Sequence, residues 1–317
     1  RGPGLYLFVD GEGEVLYVGK ATNIRARVRS YFGTGDSRRK VGSLLKLMQS
    51  IHYISTPDVL SAEVLELRLI ARLRPRYNHA FTRATKYCYV RLTCGEVWPR
   101  LMVTKSLKSG SDDIFLGPIS SRSMARDFVD AIESVVPLRR CTVRMGKNYR
   151  APVDAPVCSA AQLGLAQCPC SGTAEPSSYA KAVESVMRVL SGNADEVLEK
   201  LNAKMLAHSR AQRFEEAGVV LARVEALETI LRRVQSVREL VEAGELSIDS
   251  GQVSHSVERG LLVGTDVDGA SFNFVAPQID LDFSELLSAP KPSDVSYPIS
   301  ADLIDEILCI ARHQNAA

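Results

Sequence analysis

The apolar positions of this chain fall into short strand-like runs near its start and long helical stripes further on. Leu5–Val9 and Val15–Val18 are β-rich and flank Asp10-Gly11-Glu12-Gly13, a turn signal that predicts a hairpin. Thr22 is placed to cap a helix running to about Tyr31. Within residues 38–49, Val41, Leu44, Leu45 and Met48 recur at helical spacing. Residues 51–55 read as a strand, and residues 60–73 as a helix ended by Pro75. Residues 87–93 and 101–104 read as two more strands. An amphipathic helix follows over residues 121–135, with Met124, Phe128, Ile132 and Val136 on one side.

Residues 181–235 are helical throughout, with a break near His208–Arg210. Leu198, Leu201 and Met205 form one stripe. Phe214, Ala217, Leu221, Val224, Leu227 and Leu231 form a second, so the pair predicts an antiparallel helical hairpin. Beyond it lie strand-like runs at 260–263 and 271–275, a Pro- and Ser-rich loop, and a last helix over about 300–313. No chemical motif is visible in that final stretch. The divisions are therefore 1–105, a small α/β unit; 106–180, a connecting region; 181–235, the hairpin; and 236–317, a C-terminal region without an assigned role. The fold class is α+β.

The chain has 317 residues and 45% hydrophobic content, enough for two or three cored domains. Its net charge of +2 hides an asymmetry. Residues 1–105 carry 18 Lys and Arg against 8 Asp and Glu, and the remainder carries 21 against 29. A basic first third suits a phosphate-rich partner. Arg25, Arg29, Arg38, Arg39, Lys40, Arg72, Arg74 and Arg76 read as phosphate-positioning charge, with shape-dependent rather than base-specific binding. No run is long enough to span a bilayer. Seven unevenly spaced cysteines argue against a secreted disulfide framework and for a reducing cytoplasm.

The candidate chemistry sits in the basic third. Gly4-Leu5-Tyr6 and Tyr17-Val18-Gly19-Lys20 lie on the two arms of the predicted hairpin, which brings both phenols onto neighbouring strands. Arg27 and Tyr31 are four apart and share a helix face. Glu66 and Glu63 both lie on the helix read over residues 60–73, and Asn78 comes after it. Two phenols, a lysine, an arginine and a carboxylate suit phosphodiester hydrolysis, which needs activated water and charge neutralisation at phosphate. Either tyrosine could serve as base beside a cation. Arg27 would grip the phosphate through a forked contact that lysine cannot copy. A carboxylate would hold Mg²⁺ or Mn²⁺ with several retained waters.

These motifs, with Asn23-Ile24-Arg25-Ala26-Arg27-Val28-Arg29-Ser30-Tyr31-Phe32, resemble the GIY-YIG nuclease domain of UvrC-type excinucleases, a small antiparallel sheet flanked by helices. The resemblance continues through Trp98-Pro99-Arg100-Leu101, Phe115-Leu116-Gly117-Pro118 and Pro137-Leu138-Arg139-Arg140-Cys141 into the helical pair, about three quarters of the chain. It implies a metal on Glu66, matched by the spacing to Asn78, rather than on the rival Glu63. It implies Tyr17 as base with Lys20 holding its pKa down, Tyr6 positioning water or phosphate, and Tyr31 and Asn78 as orienting residues. Cys141, Cys158, Cys168 and Cys170 resemble that family's iron–sulfur ligands, with zinc as the alternative occupant. The family's Cys-x-x-x-Cys is shortened here to Cys168-Pro169-Cys170.

The helical pair resembles the UVR motif that joins UvrC-type to UvrB-type proteins, with Leu221 and Ala222 in place of the family's Arg-Asp. The start at Arg1 favours a UvrC-like half fused behind a DnaQ-like 3′–5′ exonuclease, and a short Cho-type homologue is the other form implied. The expected function is a metal-dependent endonuclease nicking damaged duplex DNA in nucleotide excision repair. The contrasting expectation is a catalytically silent DNA-binding scaffold docking to a UvrB-like partner or a fused exonuclease. An intact set of Tyr6, Tyr17, Lys20, Arg27, Tyr31, Glu66 and Asn78 favours the enzyme. A homing or restriction endonuclease fits less well, because the match extends through the hairpin.

Overall fold

Strand β1 (Gly4–Val9) is buried along its whole length because it has a partner on each edge and a core on each face. It pairs antiparallel with β2 (Val15–Ala21), and helices α1 (Ile24–Ser30) and α2 (Arg39–Leu47) follow. Its other edge pairs antiparallel with β3 (Ser50–Ser55), giving the order β2-β1-β3. Strand alternation sends Leu5, Leu7 and Val9 to one core, shared with Val18, Ile54, Leu65 and Leu69 of α3 (Val59–Leu73). Tyr6 and Phe8 point to the other, against Leu16, Tyr31, Val41 and Leu44. In this computed structural model the described residues are 2–33, 39–78, 87–107, 112–152, 154–274 and 281–314. They form two units, residues 1–85 with 237–317, and residues 86–236.

Asn23, not Thr22, caps α1, because its side-chain Oδ1 is the oxygen that accepts from the Ala26 N–H, at 3.0 Å. Helix α3 starts on Asp58, which accepts from Ser61. It ends with Arg74 in the left-handed region at φ 50°, as the chain turns into Pro75.

In the second unit β4 (Cys88–Leu92) pairs with β5 (Leu101–Thr104) on one edge and with β6 (Ile114–Ile119) on the other. The strands expected to complete the 1–105 unit therefore belong to a separate sheet, ordered β5-β4-β6, because β5 pairs with β4 and the other edge of β4 pairs with β6. Helix α4 (Arg122–Glu133) follows on a Ser121 cap and buries Phe128, Val129 and Ile132. After the short α5 (Ser159–Gln162) come α6 (Pro176–Ser191), α7 (Asp195–Arg210) and α8 (Phe214–Glu242). The break falls at 211–213 rather than 208–210, where Gln212 takes a left-handed φ of 57°. The buried stripe of α8 is Val220, Val224, Leu227, Ile230 and Val234; Phe214 and Leu221, expected within it, are exposed.

The chain then re-enters the first unit. Strands β7 (Glu245–Ser250), β8 (Val253–Glu258), β9 (Leu261–Val267) and β10 (Ala270–Ser271) form an antiparallel meander. The run expected at 260–263 lies at the start of β9. Of the one expected at 271–275 only Ser271 is in a strand, and Val275 lies outside the described residues. Helices α9 (Phe283–Leu287) and α10 (Ile304–Gln314) finish the unit.

This C-terminal segment, without a motif in its sequence, holds helix α3. Arg68 is buried and donates from Nε and an Nη to the Glu306 carboxylate at 3.0 and 2.6 Å. It also donates to the carbonyls of Leu287 (3.0 Å) and Leu262 (2.5 Å). His255 Nε2 lies 2.8 Å from Oδ2 of the α3 cap Asp58. Among the described residues no helix is long and apolar enough to cross a membrane.

Candidate active site

The hairpin register sets Tyr6 opposite Gly19 and Phe8 opposite Tyr17. The two phenols are thus diagonal neighbours on one face of the sheet, their ring centroids 6.0 Å apart. Gly19 is needed for this. A Cβ there would lie 2.5 Å from the Tyr6 hydroxyl and 2.8 Å from a Tyr17 ring carbon. Tyr31, which closes α1, brings its hydroxyl to 2.8 Å from that of Tyr6. Arg27 sits one turn earlier. Its Nε donates to the Tyr6 hydroxyl at 3.4 Å, and its guanidinium carbon lies 5.3 Å from the Tyr31 ring centroid.

Asn78 acts on backbone. Its Oδ1 accepts from the Val18 N–H at 2.8 Å and its Nδ2 donates to the Val18 carbonyl at 2.7 Å, as a neighbouring strand would. That double bond fixes β2 between Tyr17 and Gly19. Glu66 Oε1 accepts from the Lys20 N–H at 3.1 Å. One backbone segment, residues 17–20, therefore joins the tyrosine cluster, Asn78 and the carboxylate of α3.

The phenols do not have the expected electrostatics. Burial pushes Tyr17 up, and the Tyr31 hydrogen bond adds to it while the Tyr6 bond opposes. Burial also pushes Tyr6 up, with Tyr17 and Tyr31 adding and Arg27 opposing. Lys20, expected to lower Tyr17, sends its ammonium to Glu63 instead. Among the arginines read as phosphate contacts, Arg72 donates to the carbonyls of Glu285 and Ser288 and so secures α9. Arg38 and the side chains of Arg39 and Lys40 lie outside what is described.

Glu63, the rival ligand in the sequence, is the hub of a second cluster. Its Oε1 pairs with Lys20, and its Oε2 takes Cys309 Sγ at 3.1 Å and His313 Nε2 at 3.2 Å. Burial raises this carboxyl, but the hydrogen bonds from Lys20, Cys309 and His313 outweigh it and bring it down from 4.5 to about 2. A carboxylate depressed in the folded state stabilises the fold above its unfolded pKa and loses that contribution as pH falls through the folded value. The unfolding temperature of wild type should therefore drop towards that of Glu63→Gln between pH 4.5 and about 2. Two parallel pH profiles would contradict the assignment.

The signals for these missed residues were present but non-local. Arg68 and Glu306 are charges set within the apolar stripes of α3 and α10, and each implies a buried partner.

The four clustered cysteines are partly assembled. Cys168 Sγ and Cys170 Sγ are 3.0 Å apart, and Cys141 Sγ accepts from Arg139 at 3.3 Å. Burial raises Cys168, but the Cys158 backbone N–H and the Cys170 thiol together bring it down. Cys158 itself is exposed.

Residues 2–79 match the family model of the UvrC-like GIY-YIG domain, and residues 87–189 match that of the UvrC/Cho excinuclease middle domain. The UvrABC system protein C of Caldanaerobacter subterraneus subsp. tengcongensis is 32% identical over 240 residues, 75% of this chain and 38% of that protein. Its counterpart from Lawsonia intracellularis is 32% identical over 305 residues, 94% of this chain and 47% of that protein. The chain spans less than half the length of these curated relatives. A crystal structure of the GIY-YIG N-terminal endonuclease domain of UvrC from Thermotoga maritima, bound to magnesium as its catalytic divalent cation, is 32% identical. The match covers 24% of this chain and 83% of that domain, with a TM-score of 0.23.

Proposed function

Because the chain belongs to the UvrC/Cho excinuclease family, we propose that it is a divalent-metal-dependent endonuclease that nicks damaged duplex DNA in nucleotide excision repair. The observation that carries this is the convergence of Tyr6, Tyr17, Tyr31 and Arg27 beside a segment of β2 held by Asn78 and Glu66.

Glu66 is a half-buried oxygen donor anchored to the Lys20 N–H, a hard ligand that fits Mg²⁺ or Mn²⁺. A cation held by Glu66 would supply charge neutralisation at the phosphate and at the leaving oxygen. The rest is the work of the chain's own groups. Arg27 is held by Tyr6 and the Tyr31 ring with its remaining N–H groups available to a phosphate oxygen. Tyr17 would orient the attacking water; with a cation bound nearby opposing the burial that raises it, its hydroxyl would first lose its proton to solvent, and the phenolate so formed would take the proton of the water. Lys20, tied to Glu63, places a second positive charge at the edge of the site.

Arg27→Lys should lower turnover by about 10²-fold despite the conserved charge, because the forked contact is lost. An unchanged single-turnover rate would remove Arg27 from the transition state. The function itself is tested on end-labelled duplexes with and without a bulky lesion, in Mg²⁺ or Mn²⁺ against EDTA, with and without a UvrB-type protein. Metal-dependent nicking at one position beside the lesion is expected. DNA binding without nicking under any condition would favour the silent scaffold.

Two finer proposals go with this reading. Phe214 and Leu221 expose apolar surface on α8 and Leu206 on α7, which supports docking of a UvrB-like protein there; pull-downs of this chain with a UvrB-type protein and with a DnaQ-like exonuclease test the two partners. Cys141, Cys158, Cys168 and Cys170 are proposed as ligands of an iron–sulfur cluster or zinc, supported by the Cys168–Cys170 contact. Metal analysis of anaerobically purified protein tests that.

A further inference from the structure

Beside Lys20, three donor atoms converge that the chemistry above does not use. One ligand atom each from Glu63, Cys309 and His313 lies within 4.8 Å of the others. Glu63 comes from α3. Cys309 and His313 are four apart on α10, so one helix face presents both to the carboxylate. Cys309 is fully buried, whereas the His313 side chain is 33% exposed. His313 also lines a cleft of about 290 Å³ with Asp58, Leu60 and His255, which gives a dissolved ion access to the imidazole.

We propose that Glu63, Cys309 and His313 form a binding site for a borderline-soft divalent cation, with Zn²⁺ the best match, distinct from the metal assigned to Glu66. The donor set decides the class. A thiolate and an imidazole select zinc over magnesium, and one carboxylate completes a three-residue set that leaves a fourth position for water. Binding displaces the Cys309 proton to solvent.

Two cations already face Glu63. They are Lys20, whose side chain is 36% exposed, and Arg312, at 72%. Both are long and can turn to water, so the incoming ion takes over charge that they now compensate. Because Lys20 and the ion share one carboxylate, occupancy of this site frees Lys20 from its tether. The site also pins α10 to the helix that carries Glu66.

The test is a titration of the whole, metal-stripped chain with Co²⁺ and with Zn²⁺, comparing wild type, His313→Ala and Cys309→Ser. Each variant should bind one equivalent fewer than wild type, or hold that equivalent at least about tenfold more weakly. Cys309→Ser should also lose part of the thiolate-to-cobalt absorption. The cysteines at 141, 158, 168 and 170 are present in all three proteins, so ions held there cancel in the comparison. Should Cys309→Ser fail to fold, His313→Ala decides alone, since its residue is partly exposed at the end of α10. Equal stoichiometry and affinity in wild type and His313→Ala would overturn the site.

Discussion

Glu66→Ala is expected to lower metal-dependent nicking by about 10³-fold or more, the scale of removing a principal electrostatic stabiliser of the transition state. DNA affinity should stay close to that of wild type, because the phosphate-facing charge of the basic third is unchanged. The reasoning rests on position. The carboxylate comes from α3, takes the Lys20 N–H, and stands against the same strand segment that presents Tyr17 and Gly19. Alanine keeps the helix, since it is the best helix former. The variant should therefore fold, bind and not cut. Single-turnover nicking in Mg²⁺ and Mn²⁺, beside a binding titration in EDTA, separates these effects. A variant that cuts at the wild-type rate would move the metal elsewhere, and Glu63→Ala would be the next variant to test.

Glu306→Ala should be the most damaging of these substitutions for stability. It leaves the Arg68 guanidinium buried against two backbone carbonyls with its charge uncompensated, and breaking such a pair costs about 3–5 kcal/mol. Leu262 also loses the acceptor of its N–H. The loss should appear as faster hydrogen exchange across α3, which Arg68 otherwise ties to α10, β9 and α9. Replacing both partners by apolar residues, Arg68→Met with Glu306→Leu, should recover much of the stability, because no buried charge is left over. A Glu306→Ala protein within about 1 kcal/mol of wild type would show that α3 does not depend on this brace.

The two substitutions bear on one design. In the proposed role, Glu66 needs α3 to hold its distance from β2, and α3 is held from behind by residues more than 190 positions away in the chain. The segment 237–317 thus serves the site as a scaffold, through Arg68, Asp58 and Glu63.

What was readable in the sequence was local. The hairpin followed from two apolar runs and a glycine-rich turn, and its pairing from strand alternation, so Tyr6 and Tyr17 could be placed together in advance. Arg27 and Tyr31 followed from helical spacing. Helix α3 followed from its apolar stripe, and Glu66 was singled out on it by the family resemblance. These features depend on neighbours within a few residues, where periodicity and turn chemistry carry the information.

What only the tertiary structure decided involved partners far apart in the chain. Strands β4 and β5 read as strands in either sheet, and only the pairing of β6 with the free edge of β4 places them in a sheet of their own. Lys20 follows a motif that points to Tyr17, yet a carboxylate 43 residues on competes for its charge and wins by direct contact. Phe214 and Leu221 fit an apolar period, but α8 buries a face rotated away from them. Cys309 and His313 share a helix face at i, i+4, but nothing in the spacing links them to Glu63, or Arg68 to Glu306. An ionisable group in an apolar stripe announces that it needs a partner, and chain folding alone determines which residue supplies it.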